Sequence, residues 1–160
     1  MNRHLCPICG KGKLETTHET RRYGDGINVT LVNVPVRRCP VCGEELLVIP
    51  AIEELHRRIA RDLARSAAKL GPAEIRFLRT YLGYSSANFA DAMGVTPETV
   101  SRWESERAPQ KMAAPAERLL RLMAFHGKPI ESYGLAKTEV KERTSSPLRL
   151  KPAAEGWAAA

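Results

Sequence analysis

Apolar and polar positions follow two different rhythms along this chain, and the change of rhythm divides it. Before residue 50, short Thr-, Val- and Leu-rich runs are separated by turn residues. Residues 13–20 and 27–34 read as strands with Tyr23-Gly24-Asp25-Gly26 as the turn between them, and residues 44–49, closed by Pro50, read as one more short strand. After Pro50 the apolar period lengthens to that of a helix. Ile52, Leu55, Ile59 and Leu63 form one stripe of a helix over 51–70, and Ile75, Leu78 and Leu82 form the stripe of a second, over 72–82. Gly71-Pro72 breaks the chain between them.

Two short helices follow within 85–106. Ser85 is a capping residue, Phe89, Ala92 and Met93 recur at helical spacing, and Gly94 supplies the left-handed residue that ends a helix without a Cβ penalty. Thr96-Pro97 restarts the chain, Thr as cap and Pro at the first helical position, where its missing N–H costs nothing. In the second helix Val100 and Trp103 fall on one face and leave Glu98, Thr99, Ser101, Arg102 and Ser105 outward. A helix-turn-helix whose second helix is narrow and polar suits a major groove. The other reading of the same pattern is a helical hairpin with one solvated face. A further helix starts at Pro115. Its Leu119, Leu120, Leu122, Met123 and Phe125 are more apolar than packing in one direction requires, which predicts a dimer face joined by Ile130 and Tyr133. Packing within the chain is the alternative. Beyond Leu135 periodicity fades, and 135–160 is expected to be a disordered tail.

All four cysteines lie in the first fifty residues, as Cys6-Pro7-Ile8-Cys9-Gly10 and Cys39-Pro40-Val41-Cys42-Gly43. Each Cys-x-x-Cys-Gly hook turns two sulfurs toward one point, and two hooks make the four-thiolate site that structural zinc prefers. The stretch between Cys9 and Cys39 is long for such a site, and a hairpin between them accounts for it. Two disulfides would need an oxidising compartment, for which no secretory signal speaks. A redox pair would not need two matched hooks, and a catalytic zinc would need an open position. His4 and His18 could compete as ligands on residue type alone, but a lone histidine beside a complete four-cysteine set is more often a bystander.

The composition adds modest support. A net charge of +7 suits a polyanionic partner, although four thiolates on one zinc would lower it to about +5. Arg57, Arg61, Arg65 and Lys69 recur every fourth residue, either as a phosphate-facing edge or as a solvated face. No apolar run has membrane-spanning length, so a cytoplasmic location and no membrane partner are expected. No Ser-His-Asp, Cys-His or paired-carboxylate set falls on one local element, so an enzyme is not expected.

Leu78-Arg79, Leu82-Gly83-Tyr84-Ser85, Phe89-Ala90, Met93-Gly94-Val95-Thr96 and Val100-Ser101-Arg102-Trp103-Glu104 resemble the Cro/cI-type helix-turn-helix family. Together with the two cysteine hooks, they make residues 1–132 resemble the MqsA-like antitoxins, which join a YgiT-type zinc finger to that motif. The resemblance implies an α+β protein of two domains. A zinc-bound β lobe (1–50) and a connecting helix (51–71) would precede an all-α helix-turn-helix and dimerisation domain (72–134). It implies a type II antitoxin and transcriptional repressor: a homodimer on a palindromic operator, with an RNase-type toxin on the zinc lobe. A toxin-independent zinc-containing regulator is the alternative. It also implies that Arg79 pairs with Glu104 and that Arg102 reads a base. Ser101, Thr99, Glu98, Thr96 and Ser86 are the other DNA-contact candidates, and Cys6, Cys9, Cys39 and Cys42 hold one structural zinc. The chain departs from the family at Ser86, where Gln is common, and at Glu98, where Asn is usual, so its operator cannot be copied from relatives.

Overall fold

β-Branched runs pair first. In the computed structural model, which describes residues 5–134, 149–154 and 156–159, β1 (Glu15–Tyr23), β2 (Val29–Arg38) and β3 (Glu45–Leu47) form an antiparallel sheet in the order β1-β2-β3. The first two strands run further along the chain than their composition predicts. Their register slips between Glu19 and Arg21, and Asn33, at φ 59°, takes up the left-handed conformation that such a bulge needs and that Asn tolerates well. β1 has β2 on one side and no described strand on the other.

Five α-helices follow: α1 (Ile52–Arg65), α2 (Pro72–Tyr81), α3 (Ser86–Met93), α4 (Pro97–Trp103) and α5 (Ala114–His126), with a 3₁₀ turn at Ile130–Tyr133. The protein is thus α+β. The caps act as their residue types dictate. Ser85 accepts a bond from Asn88 N–H, Thr96 accepts one from Thr99 N–H, and Gly94 closes α3 at φ 65°. Leu78, Phe89, Val100, Leu120 and Met123 are almost fully enclosed, and Phe89 stands between the rings of Tyr84 and Trp103.

The 51–71 segment differs from its expected role as a connector. Ala60 is fully buried in the same core as Leu120, Met123 and Ala124, with Leu63 and Ala64 packed against it. The apolar surplus of α5 is therefore covered by α1 of the same chain. Of the side chains assigned to a dimer face, Leu122 and Tyr133 remain well exposed. The physical reason is mutual: two amphipathic stripes far apart in sequence but on one chain bury each other before either meets a second chain.

Helix α1 also stops at Arg65, short of residue 70, because Ser66 turns to an extended conformation. The side chain of Arg121 replaces the missing turn. Its Nη1 donates to the carbonyls of Leu63 (2.8 Å), Ala64 (3.3 Å) and Ser66 (2.7 Å), and its Nη2 donates to that of Ala68 (2.5 Å). Glu117 balances the charge. Its Oε1 accepts from Arg121 Nη2 at 2.8 Å and from Leu70 N–H at 3.2 Å.

The β-hairpin tip docks on the helices. Tyr23 Oη and His56 Nε2 share a hydrogen bond at 2.5 Å, and the His56 ring meets Phe77 edge-on. Gly26 lies so close that a Cβ there would meet the Ala73 Cβ at 2.6 Å. In the region expected to be a disordered tail, β4 (Leu150–Ala153) pairs antiparallel with β5 (Gly156–Ala159). Strands of this length are too short to show a period in sequence. Residues 135–148, in the rest of that tail, and His4 lie outside the described residues.

Candidate metal centre and nucleic-acid interface

Each cysteine hook closes on itself in the same way. Gly10 N–H donates to the Cys6 carbonyl at 2.9 Å and Gly43 N–H to the Cys39 carbonyl at 2.9 Å, with both glycines at positive φ. The hooks face each other, so that Cys6 Sγ lies 3.6 Å from Cys42 Sγ and Cys9 Sγ lies 3.7 Å from Cys39 Sγ. All four sulfurs fall within 4.8 Å of one another. A tetrahedral metal with sulfur bonds of about 2.3 Å has sulfur–sulfur edges of about 3.8 Å, so the set fits an ion such as zinc. Gly12 makes the approach possible, since a Cβ there would sit 2.3 Å from Cys39 Sγ. Among the described residues His18 is not part of this group; it lies exposed on β1.

Electrostatics point the same way. Backbone N–H groups of Lys11 and then Gly12 aim at Cys9 and pull its pKa down to about 6. At Cys42 the Glu44 N–H pulls downward, but desolvation and the sulfurs of Cys39, Cys6 and Cys9 outweigh it and leave the pKa at about 12. The opposite shifts of Cys9 and Cys42 set the two sulfurs against each other, and a divalent cation between them removes that conflict.

Beyond the knuckles, Arg21, Glu19, Arg38 and Glu45 close a ring of ion pairs on one sheet face. Arg21 lies 2.6 Å from Glu19 and 3.0 Å from Glu45, and Arg38 joins Glu45 as well as Glu19. Together these charges cancel, and the ring ties β1 through β2 to β3.

In the helical part, the pairing implied by resemblance is present. Arg79 Nε donates to Glu104 Oε1 at 2.6 Å, Nη2 to Oε2 at 3.0 Å and Nη1 to the Tyr84 carbonyl at 2.8 Å. Arg76 Nη2 adds a bond to the Glu104 carbonyl at 2.7 Å. This two-pronged, largely buried clamp ties the end of α4 to α2. With Val100 and Trp103 buried, Glu98, Ser101 and Arg102 share the exposed face of α4, one helical turn apart. Ser86 is exposed in the first turn of α3. Thr96 and Thr99 are brought to the same end but are partly committed, their hydroxyls 3.2 Å apart and Thr96 engaged as the cap. Glu98 is held below the ordinary carboxylate range by its own backbone N–H, the Thr96 hydroxyl and the Arg102 charge. It is a settled anion at the helix start, and it sets a limit on phosphate approach there.

The basic row on α1 is not a continuous edge. Arg57 pairs with Glu54 at 2.5 Å, Arg65 lies 4.9 Å above the Phe125 ring, and Lys69 is beyond the helix end. Sequence reasoning missed Arg121 and Glu117, although their spacing of four on one helix was a usable signal. No helix among the described residues is long and apolar enough to cross a membrane. Comparison with protein families and with characterised proteins returns no match for this chain.

Proposed function

We propose that this chain is a zinc-stapled antitoxin and transcriptional repressor, a binding protein and not an enzyme. It would bind double-stranded operator DNA through α4 and a small RNase-type toxin through the β lobe. The observation that carries the DNA half is the buried Arg79–Glu104 clamp beneath an exposed row containing Arg102. A reading helix must be held rigidly by its inner face while its outer face stays open, and this is such an arrangement. The protein half rests on the resemblance and on β1, a nine-residue strand with one edge unpaired among the described residues, which suits partner strand addition. One zinc on Cys6, Cys9, Cys39 and Cys42 has a structural role here, because four thiolates close its shell. A homodimer on a palindrome belongs to the same proposal. Because α1 covers α5, its contact must lie elsewhere than on the main apolar face of α5.

Arg102 is assigned the base-reading role. Its two donors can grip a guanine edge, so Arg102→Ala should weaken operator binding by roughly 5- to 150-fold, matching about 1–3 kcal/mol. Gel shift on the upstream DNA measures this, and unchanged affinity would remove Arg102 from the interface. The partner is tested by co-expression of the tagged chain with its adjacent reading frame. Stoichiometric recovery of a small protein that arrests growth when expressed alone supports the antitoxin. Recovery of the tagged chain with no partner, still binding its operator, leaves the alternative: a zinc-containing regulator without a toxin.

A further inference from the structure

Between the end of the α1–α2 connection, the start of α2 and the α4–α5 connection lies a cavity of about 220 Å³. It is more enclosed than the shallow concavities over the α1 C-terminus, the β3–α1 junction and the hairpin tip. Leu70, Ile75, Trp103 and Met112 supply most of an apolar wall, and Lys69 and Lys111 also border it. Neither lysine makes an ion pair within 4.0 Å among the described residues, although the Lys69 charge also acts on Glu117 at longer range. Glu117 borders the cavity too, but its Oε1 is taken up by Arg121 and Leu70 N–H, so its charge is already neutralised in place. The balance at the cavity is therefore positive above an apolar floor. The indole N–H of Trp103 has no protein acceptor among the described residues and is not sealed from solvent.

We propose that this cavity binds a small monocarboxylate with an apolar body, one ring or a branched chain in size. The volume falls below the roughly 300–1,000 Å³ usual for drug-sized ligands, which sets the size class. The two lysines select the carboxylate, and Trp103, Ile75 and Met112 take the apolar body. The cavity is also joined to the outer face of α4. Trp103 belongs to that helix, and Gln110, also on the lining, donates its N–H to the Arg102 carbonyl at 3.0 Å. A bound acid would brace the 104–112 segment against α4 and raise operator affinity; this second part rests on the DNA-binding reading above.

The test uses the full chain carrying Trp157→Phe, which leaves Trp103 as the sole tryptophan of the two in the sequence. Benzoate and its neutral counterpart benzamide are titrated while Trp103 fluorescence is followed. A saturable response to benzoate is expected, roughly tenfold or more weaker for benzamide and for a Lys69→Ala/Lys111→Ala double variant. Both lysines are exposed, so the double variant keeps its fold, as circular dichroism will verify. No saturable response, an equal response to benzamide, or an unchanged response in the double variant overturns the site. The titration needs no DNA. If the chain fails to bind its operator, the function proposed above falls while the cavity is still decided by fluorescence. If operator binding holds and benzoate leaves it unchanged, only the coupling falls.

Discussion

Replacing Cys39 with Ser should unfold the β lobe and leave the helical core standing. Cys39 is completely enclosed, and apart from cysteines the described residues of the lobe bury only Ile27 and Val36 among their hydrophobic side chains. Two such side chains make too small a core to hold the lobe by burial alone. A structural zinc supplies about 10–16 kcal/mol of apparent binding energy, which is coupled directly to folding. Serine removes a thiolate ligand and leaves three sulfurs around an unbalanced site. The expected result is zinc content falling well below one per chain, loss of dispersed amide signals from 5–49, and retained helical dichroism. The core formed by Leu78, Phe89, Val100, Leu120 and Met123 draws nothing from the lobe. A strong chelator should reproduce the effect on the unmodified chain. A Cys39→Ser chain that is zinc-free and keeps its lobe signals would show that the sheet stands without a metal. The helical part should also lose some thermal stability, because Tyr23 no longer bonds His56 and Gly26 no longer covers Ala73.

The elements readable in sequence were those whose signals are local. Ser85, Gly94, Thr96 and Pro97 each constrain their own backbone, and they mark the ends of α3 and α4 without reference to anything distant. The cysteine hooks are equally self-contained, since the glycine after each second cysteine sets the turn that aims the sulfurs. What could not be read depends on long-range contact. That α1 covers α5 follows from two stripes meeting across the fold, and neither stripe names its partner. The early end of α1 is set by Arg121, far along the chain. Gly26 reads as an ordinary turn residue, and only the approach of Ala73 gives its lack of a Cβ a packing role. Which positions of α4 face outward followed from helical period, but the commitment of Thr96 and Thr99 to each other required coordinates.

Arg121→Ala should strongly destabilise the helical part. The guanidinium joins the last turn of α1 and the segment after it to α5 by bonds to four carbonyls and neutralises Glu117, and both side chains are largely enclosed. Removing it strands a buried carboxylate and unties the end of α1, which costs about 3–5 kcal/mol. The pH dependence separates this cause from simple loss of packing. Burial alone would raise the Glu117 carboxyl, but Arg121, the Leu70 N–H and the Lys69 charge together hold it below its ordinary value of 4.5. A carboxylate depressed in the folded state adds stability that is present above its unfolded pKa and is lost as pH falls through the folded one. Without Arg121 the sign reverses: burial dominates, the carboxyl rises, and acid favours the folded variant relative to neutral pH. The stability gap between the two chains, read from urea melts, should therefore be widest near pH 7 and narrow toward pH 4. Glu117→Gln on the Arg121→Ala background should recover part of the loss at pH 7 and little at pH 4. A gap that stays constant across that range would assign Arg121 to packing and helix capping alone, with no part for the Glu117 charge.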